Sequence, residues 1–405
     1  MELSFYSNFT TTLTAQEAQI NALQQQISTG MAVQTPSQNP AAYETAALGN
    51  DQISQLNNNN NTQAALQTQL GAANNAYSSV TSLLDNVQSI VLQALSGTTN
   101  AQNLNALSLQ VQSASKELLA AGNTIAPNGS YLFGGSRGSL APFQPDPSGN
   151  IAYFGDSGQS QATISQGNTA NTLVNGEAFT SALAGDGTSV ITANGSNGGT
   201  GQMLQQGLVS AATANAFQQG NSPITVAFAV SGNTTTYTAT QGGTTLSTGT
   251  LTSGGTNQTN LQLAGVNYEI TGAPANGDSF TISPARPQSA FALLQQISTA
   301  LSSAQATPAQ VAQTNQVLNQ SLAGLAQYQQ AITTAQAQNG VTLQALATAA
   351  TSNTTQQTAA QTTVNNATAV NMPAAISALD QSMTAVQAAM KTFATAQSLS
   401  LFKYL

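Results

Sequence analysis

The 405-residue chain predicts an α+β protein: an elongated helical coiled-coil bundle formed by the N- and C-terminal segments, with an inserted all-β domain. Three observations predict it. Apolar residues recur at heptad spacing through both ends of the chain. Gly, Pro and Thr collect in the middle, in short alternating runs with turn signals between them. Charge is nearly absent: 5 Lys plus Arg and 13 Asp plus Glu make up 4% of the chain, against about 25% in an ordinary soluble domain.

The first helix is carried by Phe9, Leu13, Ile20, Leu23 and Ile27, with Gln16 as the polar member of the seam, and it ends near Gly30 before Pro36 and Pro40. Asn39 is suited to cap a second helix, with Pro40 at its first position. That helix has a regular seam from Leu66 through Leu70, Ala73, Tyr77, Val80, Leu84 and Val87 to Val91. The run Asn57–Asn61 reads as a weak, solvated place in it, or as a break. After Gly97 a third seam uses Leu104, Leu107, Val111, Ala114, Leu118 and Ile125.

The C-terminal zone repeats the pattern. Phe291, Leu294 and Leu301 begin a helix that stops before Pro308. Val311, Leu318, Leu322, Leu325, Ile332, Leu343 and Leu346 form one seam, with Asn315, Gln329, Gln336 and Asn339 at its polar positions. Residues 347–372 are nearly all Ala, Thr, Asn and Gln, compatible with helix or extended chain. Pro373 reopens a helix whose seam reads Ile376, Leu379, Met383, Val386, Met390, Phe393. Such amphipathic helices are marginal alone in water, so each seam needs a partner. The simplest pairing joins the first helix to the last. Partner and register are usually set by Glu/Lys pairs beside the seam; here they must come from seam shape and polar seam residues.

The middle zone reads as strands at 224–230, 234–240, 244–251, 261–263, 268–271 and 279–282, with an earlier group at 131–133, 151–154 and 162–165. The chain divides into a terminal coiled-coil domain (1–40 and 370–405), a helical bundle with a β-hairpin (41–168 and 285–369) and an outer β-rich domain (169–284).

Composition excludes several functions. With no His and no Cys, imidazole and thiolate metal sites and every Ser–His or Cys–His catalytic arrangement are out of reach. A net charge of −8 gives no basic stripe for nucleic acid. No apolar run approaches the roughly 18 residues that a membrane span needs. The segment Met1–Phe9 has neither a basic n-region nor a long apolar core, so it does not read as a cleaved secretory signal. Gly185-Asp186-Gly187 and the Gly-rich stretch 195–201 lack the ligand spacing of a calcium loop or the Lys of a phosphate loop, and read as turns. No catalytic, metal or cofactor residue is expected. The functional candidates form an assembly interface: Phe9, Leu13, Ile20, Leu23, Ile27, Ile376, Leu379, Met383, Val386, Met390 and Phe393, extended by Leu401 and Phe402 in a tail too apolar for solvent.

Short motifs fit this plan. Gln26-Ile-Ser-Thr-Gly30 with Pro36-Ser-Gln-Asn-Pro-Ala-Ala42, Gly129-Ser-Tyr-Leu-Phe-Gly-Gly135 with Pro142-Phe143, Gly265-Val-Asn-Tyr-Glu-Ile-Thr-Gly272 before Gly277-Asp-Ser-Phe-Thr-Ile282, and Ser398-Leu-Ser-Leu-Phe-Lys-Tyr-Leu405 occur in order. Together they resemble the flagellar hook-associated protein type 3 family, the hook–filament junction proteins related to flagellin. The resemblance implies a flagellin-like fold and a structural, non-enzymatic role. It also implies export without a cleaved signal to an extracellular flagellum, and self-association into a ring or tube layer. The implied neighbours are the other hook-associated protein on the hook side, flagellin on the filament side and an export chaperone; nucleic acid and membrane are not. Met31, Gln38, Asn39 and Lys403 depart from the family pattern, each changing or removing a charge. Replacing carboxylates by amides removes a pH-dependent contribution to stability. Flagellin itself is the alternative reading. A secreted carbohydrate-binding or surface-degrading module is a remote one, since Trp is absent and the acids are dispersed.

Overall fold

The computed structural model describes residues 2–96, 100–251, 259–303 and 307–400. Seven α-helices are described: α1 (Glu2–Thr29), α2 (Pro40–Leu95), α3 (Ala101–Gly122), α4 (Ala211–Gln219), α5 (Ala290–Ser302), α6 (Pro308–Thr368) and α7 (Met372–Ser400). The strands are β1 (Phe143–Pro145), β2 (Ile151–Tyr153), β3 (Gln161–Ser165), β4 (Asn168–Asn171), β5 (Ser189–Ala193), β6 (Gln202–Leu208), β7 (Ile224–Ser231), β8 (Thr234–Gln241), β9 (Thr244–Leu251), β10 (Thr259–Leu263), β11 (Val266–Thr271) and β12 (Ser279–Pro284). The expected helical ends and inserted sheets are both present. The chain forms two compact units: residues 1–63, 163–168 and 347–405, and residues 64–162 and 169–346.

In the first unit, the first part of α2 runs antiparallel to the last part of α6. Asn39 caps α2 through its Oδ1, which accepts from the Ala42 N–H at 3.1 Å. The Asn57–Asn61 run does not break the helix. Asn57 accepts from Gln357 at 3.0 Å and Asn60 from Asn353 at 3.1 Å, so the run belongs to the polar part of the helix–helix contact. Gly49 lets the two helices approach: a Cβ there would fall 2.5 Å from Val364 Cγ2. Residues 347–368 are helical. Their buried face is Ala349, Asn353, Ala360 and Val364, small or polar residues that give little apolar periodicity. Their threonines satisfy themselves within the helix, as when the Thr351, Thr355 and Thr358 hydroxyls donate to carbonyls four residues back.

The second unit holds the larger core. Within it, the rest of α2 pairs antiparallel with the first part of α6 through Asn74–Asn339 at 3.3 Å, Ser78–Gln336 at 3.2 Å and Asp85–Gln329 at 2.7 Å. Helix α3 packs on α5, with Ser108 and Ser298 hydroxyls joined at 2.9 Å inside the contact. Tyr77, Phe133, Phe143, Phe179 and Phe291 form a chain of ring contacts with centroids 5.1–6.0 Å apart. An antiparallel five-stranded sheet in the order β5-β12-β7-β8-β9 packs with a three-stranded sheet, β10-β11-β6, over a core that includes Ile224, Val226, Tyr268, Ile270, Phe280 and Ile282.

Helix α6 covers two sheet edges with glutamine amides. The Gln316 side chain accepts from Met203 N–H at 2.8 Å and donates to Met203 C=O at 2.7 Å, taking the place of a neighbouring strand on β6. Gln320 accepts from Ile191 N–H on the β5 edge at 3.1 Å. These contacts satisfy backbone groups that an open edge would leave bare.

Several local expectations change. Strands β1, β4, β5 and β6 and helix α4 were not expected; the Gln-rich β6 has no period-two apolar pattern. Residues 131–133 form a turn whose Tyr131 bridges to Ile125, instead of a strand. Ile125 therefore lies beyond α3 and is 57% exposed, not in the seam. Val311 is likewise exposed. The Gly-rich stretch 195–201 is a loop held by the buried Asp278 carboxylate, which accepts from Gly198 and Gly199 N–H groups at 2.8 and 3.1 Å.

Candidate assembly site

Helix α1 stops at Gly30, whose φ of +71° is one that L residues with a side chain rarely adopt, and its N–H returns to the Gln26 carbonyl at 2.8 Å. The chain then pairs, for a short stretch, with the segment that leads into α7. Val370 N–H donates to Gly30 C=O at 3.0 Å, Ala32 N–H to Thr368 C=O at 2.7 Å, and Met31 bridges Ala369 in antiparallel sense. This clip holds the end of α1 beside the start of α7. At their other ends Phe9 stacks on Phe393 with centroids 4.2 Å apart, and Tyr6 meets the same ring edge-on at 5.3 Å. The two helices are therefore antiparallel. The loop after the clip uses amides where the resemblance would place carboxylates: Gln38 Oε1 accepts from Thr35 N–H at 3.1 Å, and Asn39 caps α2.

On α1, every expected seam residue (Phe9, Leu13, Gln16, Ile20, Leu23, Ile27) is half-buried, and the described residues between them are exposed apart from Gln26. On α7 the face turned inward runs through Ala375, Leu379, Ser382, Val386, Ala389 and Phe393. Leu379, Val386 and Phe393 were expected there. Ile376, Met383 and Met390 are not in that seam: they are 46%, 43% and 48% exposed. The correction has a simple cause. The largest apolar side chains suggested one stripe, but the close α1–α7 approach takes the small residues one position earlier, which apolar periodicity undervalues. With Met372 at 39% exposure, Ile376, Met383 and Met390 form a second stripe at near-heptad spacing on the uncovered side of α7. Leu401 and Phe402 lie outside the described residues.

The terminal helices carry few charges. Among the described residues the single ion pair is Arg137–Asp156 at 3.8 Å, in the other unit. There the Ser136 hydroxyl and backbone N–H groups hold Asp156 below the usual carboxylate range, with Arg137 adding to the effect. Burial pushes the Tyr268 phenol up to about 12 and raises those of Tyr77, Tyr153 and Tyr328. Tyr268 meets the Ser189 hydroxyl at 2.8 Å, which marks a structural hydrogen bond in the core. Among the described residues no three His, Cys, Asp or Glu side chains gather as for a metal, and no helix is long and apolar enough to cross a membrane.

Residues 2–137 match the model of the bacterial flagellin N-terminal helical region. Flagellar hook-associated protein 3 of Escherichia coli is 29% identical over 126 residues, covering 30% of this chain and 38% of that protein. Its Salmonella typhimurium counterpart is 27% identical over 168 residues, covering 40% of this chain and 50% of that one. Over these stretches the chain is similar to flagellar hook-associated protein 3. It spans from about two fifths to half the length of these curated relatives. Among solved structures, FlgL of Xanthomonas campestris superposes with a TM-score of 0.68 at 25% identity, over 78% of this chain and 97% of that one. Hook-associated protein 3 of Legionella pneumophila shares the fold, with a TM-score of 0.72 at 23% identity over 79% of this chain and 98% of that one. The helical ends with inserted sheets are thus the architecture of the hook-associated protein 3 homologues.

Proposed function

We propose that the chain is a structural subunit of the bacterial flagellum, a hook-associated junction protein that polymerises between the hook and the flagellin filament. The observation that carries this reading is the pairing of the chain's two ends in one antiparallel α1–α7 hairpin whose outer α7 stripe is left bare. Burying apolar side chains stabilises by about 25 cal/mol per Å², so a heptad-spaced row of Ile and Met on a helix surface favours a second helix laid along it. Neighbouring copies supply that helix, and identical subunits in heterologous contact build a ring or tube. Phe9, Leu13, Ile20, Leu23, Ile27, Leu379, Val386 and Phe393 then hold the hairpin together, while Ile376, Met383 and Met390 meet the neighbour.

Under this reading residues 1–40 and 370–405 are the assembly domain, 41–168 and 285–369 the bundle, and 169–284 the β-rich surface domain. The other hook-associated protein and flagellin adjoin the layer on its two sides. An export chaperone accompanies the subunit to the export apparatus, and the assembled layer lies outside the cell. The role is mechanical, with no substrate and no cofactor.

Electron microscopy of a strain lacking the protein tests the role. Bare hooks with flagellin shed into the medium are expected; if no flagellin is made or released and all hook layers are present, the chain is the filament subunit instead. The double variant Met383→Glu/Met390→Glu tests the stripe: the secreted subunit is expected to stay monomeric and fail to restore filaments. Full restoration would remove this stripe from the interface.

A further inference from the structure

Residues 163–168, the turn end of the β3–β4 hairpin, cluster with the helical unit of residues 1–63 and 347–405. Ile164 and Ser165 are each only 2% exposed there, whereas Gln166, Gly167 and Asn168 are exposed. The attachment is unusual in its chemistry. One backbone carbonyl, that of Ile164, accepts from two side-chain amides that come from different helices. Gln63 Nε2 donates to it from α2, and Asn353 Nδ2 donates to it from α6 at 3.0 Å. Both donors are dry, at 2% and 0% exposure. Asn353 Nδ2 also donates to Asn60 Oδ1 at 3.1 Å, so its two N–H groups are in use. Its Oδ1 is buried and has no hydrogen-bond partner among the described residues.

An apolar residue at position 353 would avoid that idle oxygen, and an unpaired buried acceptor is costly. The position therefore serves its donors. We infer that the hairpin turn is a strap, fastened to α2 and α6 at the Ile164 carbonyl by Gln63 and Asn353, and that it can be released while the helices stay folded. Packing alone would hold a hairpin for as long as the helices last. A polar catch of two hydrogen bonds opens locally, at lower free energy than global unfolding. It also fixes which residues of the two helices stand opposite each other. A slip of either helix by one turn would carry Gln63 or Asn353 about 5.4 Å from the carbonyl. The near-uncharged α2–α6 contact lacks the ion pairs that commonly set such a register.

Hydrogen exchange on the full-length subunit tests this, with Asn353→Leu and Gln63→Leu made separately so that one result stands if the other variant does not fold. Each is expected to speed exchange of the 163–168 amides by roughly five- to tenfold, the size expected for one lost net hydrogen bond, and Gln63→Leu, which leaves the Asn60–Asn353 contact between the helices in place, is expected to do so without lowering the melting temperature. Val364→Ala is the control. It thins the same helix contact without touching the carbonyl, and should lower the melting temperature. The inference is overturned if hairpin exchange is unchanged in both leucine variants, or if it rises only together with a fall in melting temperature as in Val364→Ala.

Discussion

The two compact units solve the same problem, folding with 4% charged residues, in different ways. The unit of residues 64–162 and 169–346 is finished within one chain: its rings and strands close over side chains such as Phe133, Phe179, Tyr268 and Ile282 at 0% exposure. In the unit of residues 1–63, 163–168 and 347–405, α1 has no residue of its seam fully buried, and among its described residues α7 leaves four large apolar side chains exposed, Met372, Ile376, Met383 and Met390. Amides and hydroxyls supply the polar contacts that ion pairs often supply elsewhere. The difference teaches that one unit is a stable body and the other a partly built interface.

Core truncations should separate them most strongly. Phe179→Ala removes a ring at 0% exposure that touches Tyr77, Phe133 and Phe143. It should cost about 3–5 kcal/mol in denaturant unfolding of the isolated subunit. Phe393→Ala, whose ring is only half-buried against Phe9 and Tyr6, should cost about 1 kcal/mol in the same assay, yet abolish assembly. Equal costs would erase the distinction.

Alkali should also act on one unit. A buried tyrosine whose folded pKa is raised stabilises the fold below the unfolded value, and that stabilisation is lost as pH rises through the folded one. Tyr268, Tyr77, Tyr153 and Tyr328 all lie in the ring-and-strand unit, so its melting temperature should fall from pH 10 towards pH 12. The Tyr268→Phe variant should lessen the fall; a curve that stays flat to pH 12 would contradict the burial of these phenols. A smaller effect is expected at the sheet edge. Gln316→Ala leaves both backbone groups of Met203 without their partner and should cost about 1–3 kcal/mol, read as a lower denaturant midpoint. No change would mean that water replaces the amide.

Much of this was legible in the sequence, and what was not has physical causes. The α1 seam could be read residue by residue because Phe, Leu and Ile stand at every position but Gln16. The fold followed from the matching heptads at the other end of the chain. The α7 seam was displaced by one position because Ala375, Ser382 and Ala389 pack by being small. The helix over 347–368 was hidden for the same reason, with Ala349, Asn353 and Ala360 on its inner face. Strands β5 and β6 were missed because their edges are completed by Gln320 and Gln316, more than a hundred residues away. The hairpin catch was missed because Gln63 and Asn353 look like surface amides until Ile164 is placed between them.

The central claim is that the α1–α7 hairpin is completed by other copies of the same chain. Limited proteolysis of the free subunit and of the polymerised protein, read by mass spectrometry, tests it most directly. Cleavage within 2–29 and 372–400 in the free subunit, lost on polymerisation while the cleavage pattern of 169–284 is unchanged, is the predicted result. Ends that resist the protease equally in both states would contradict it.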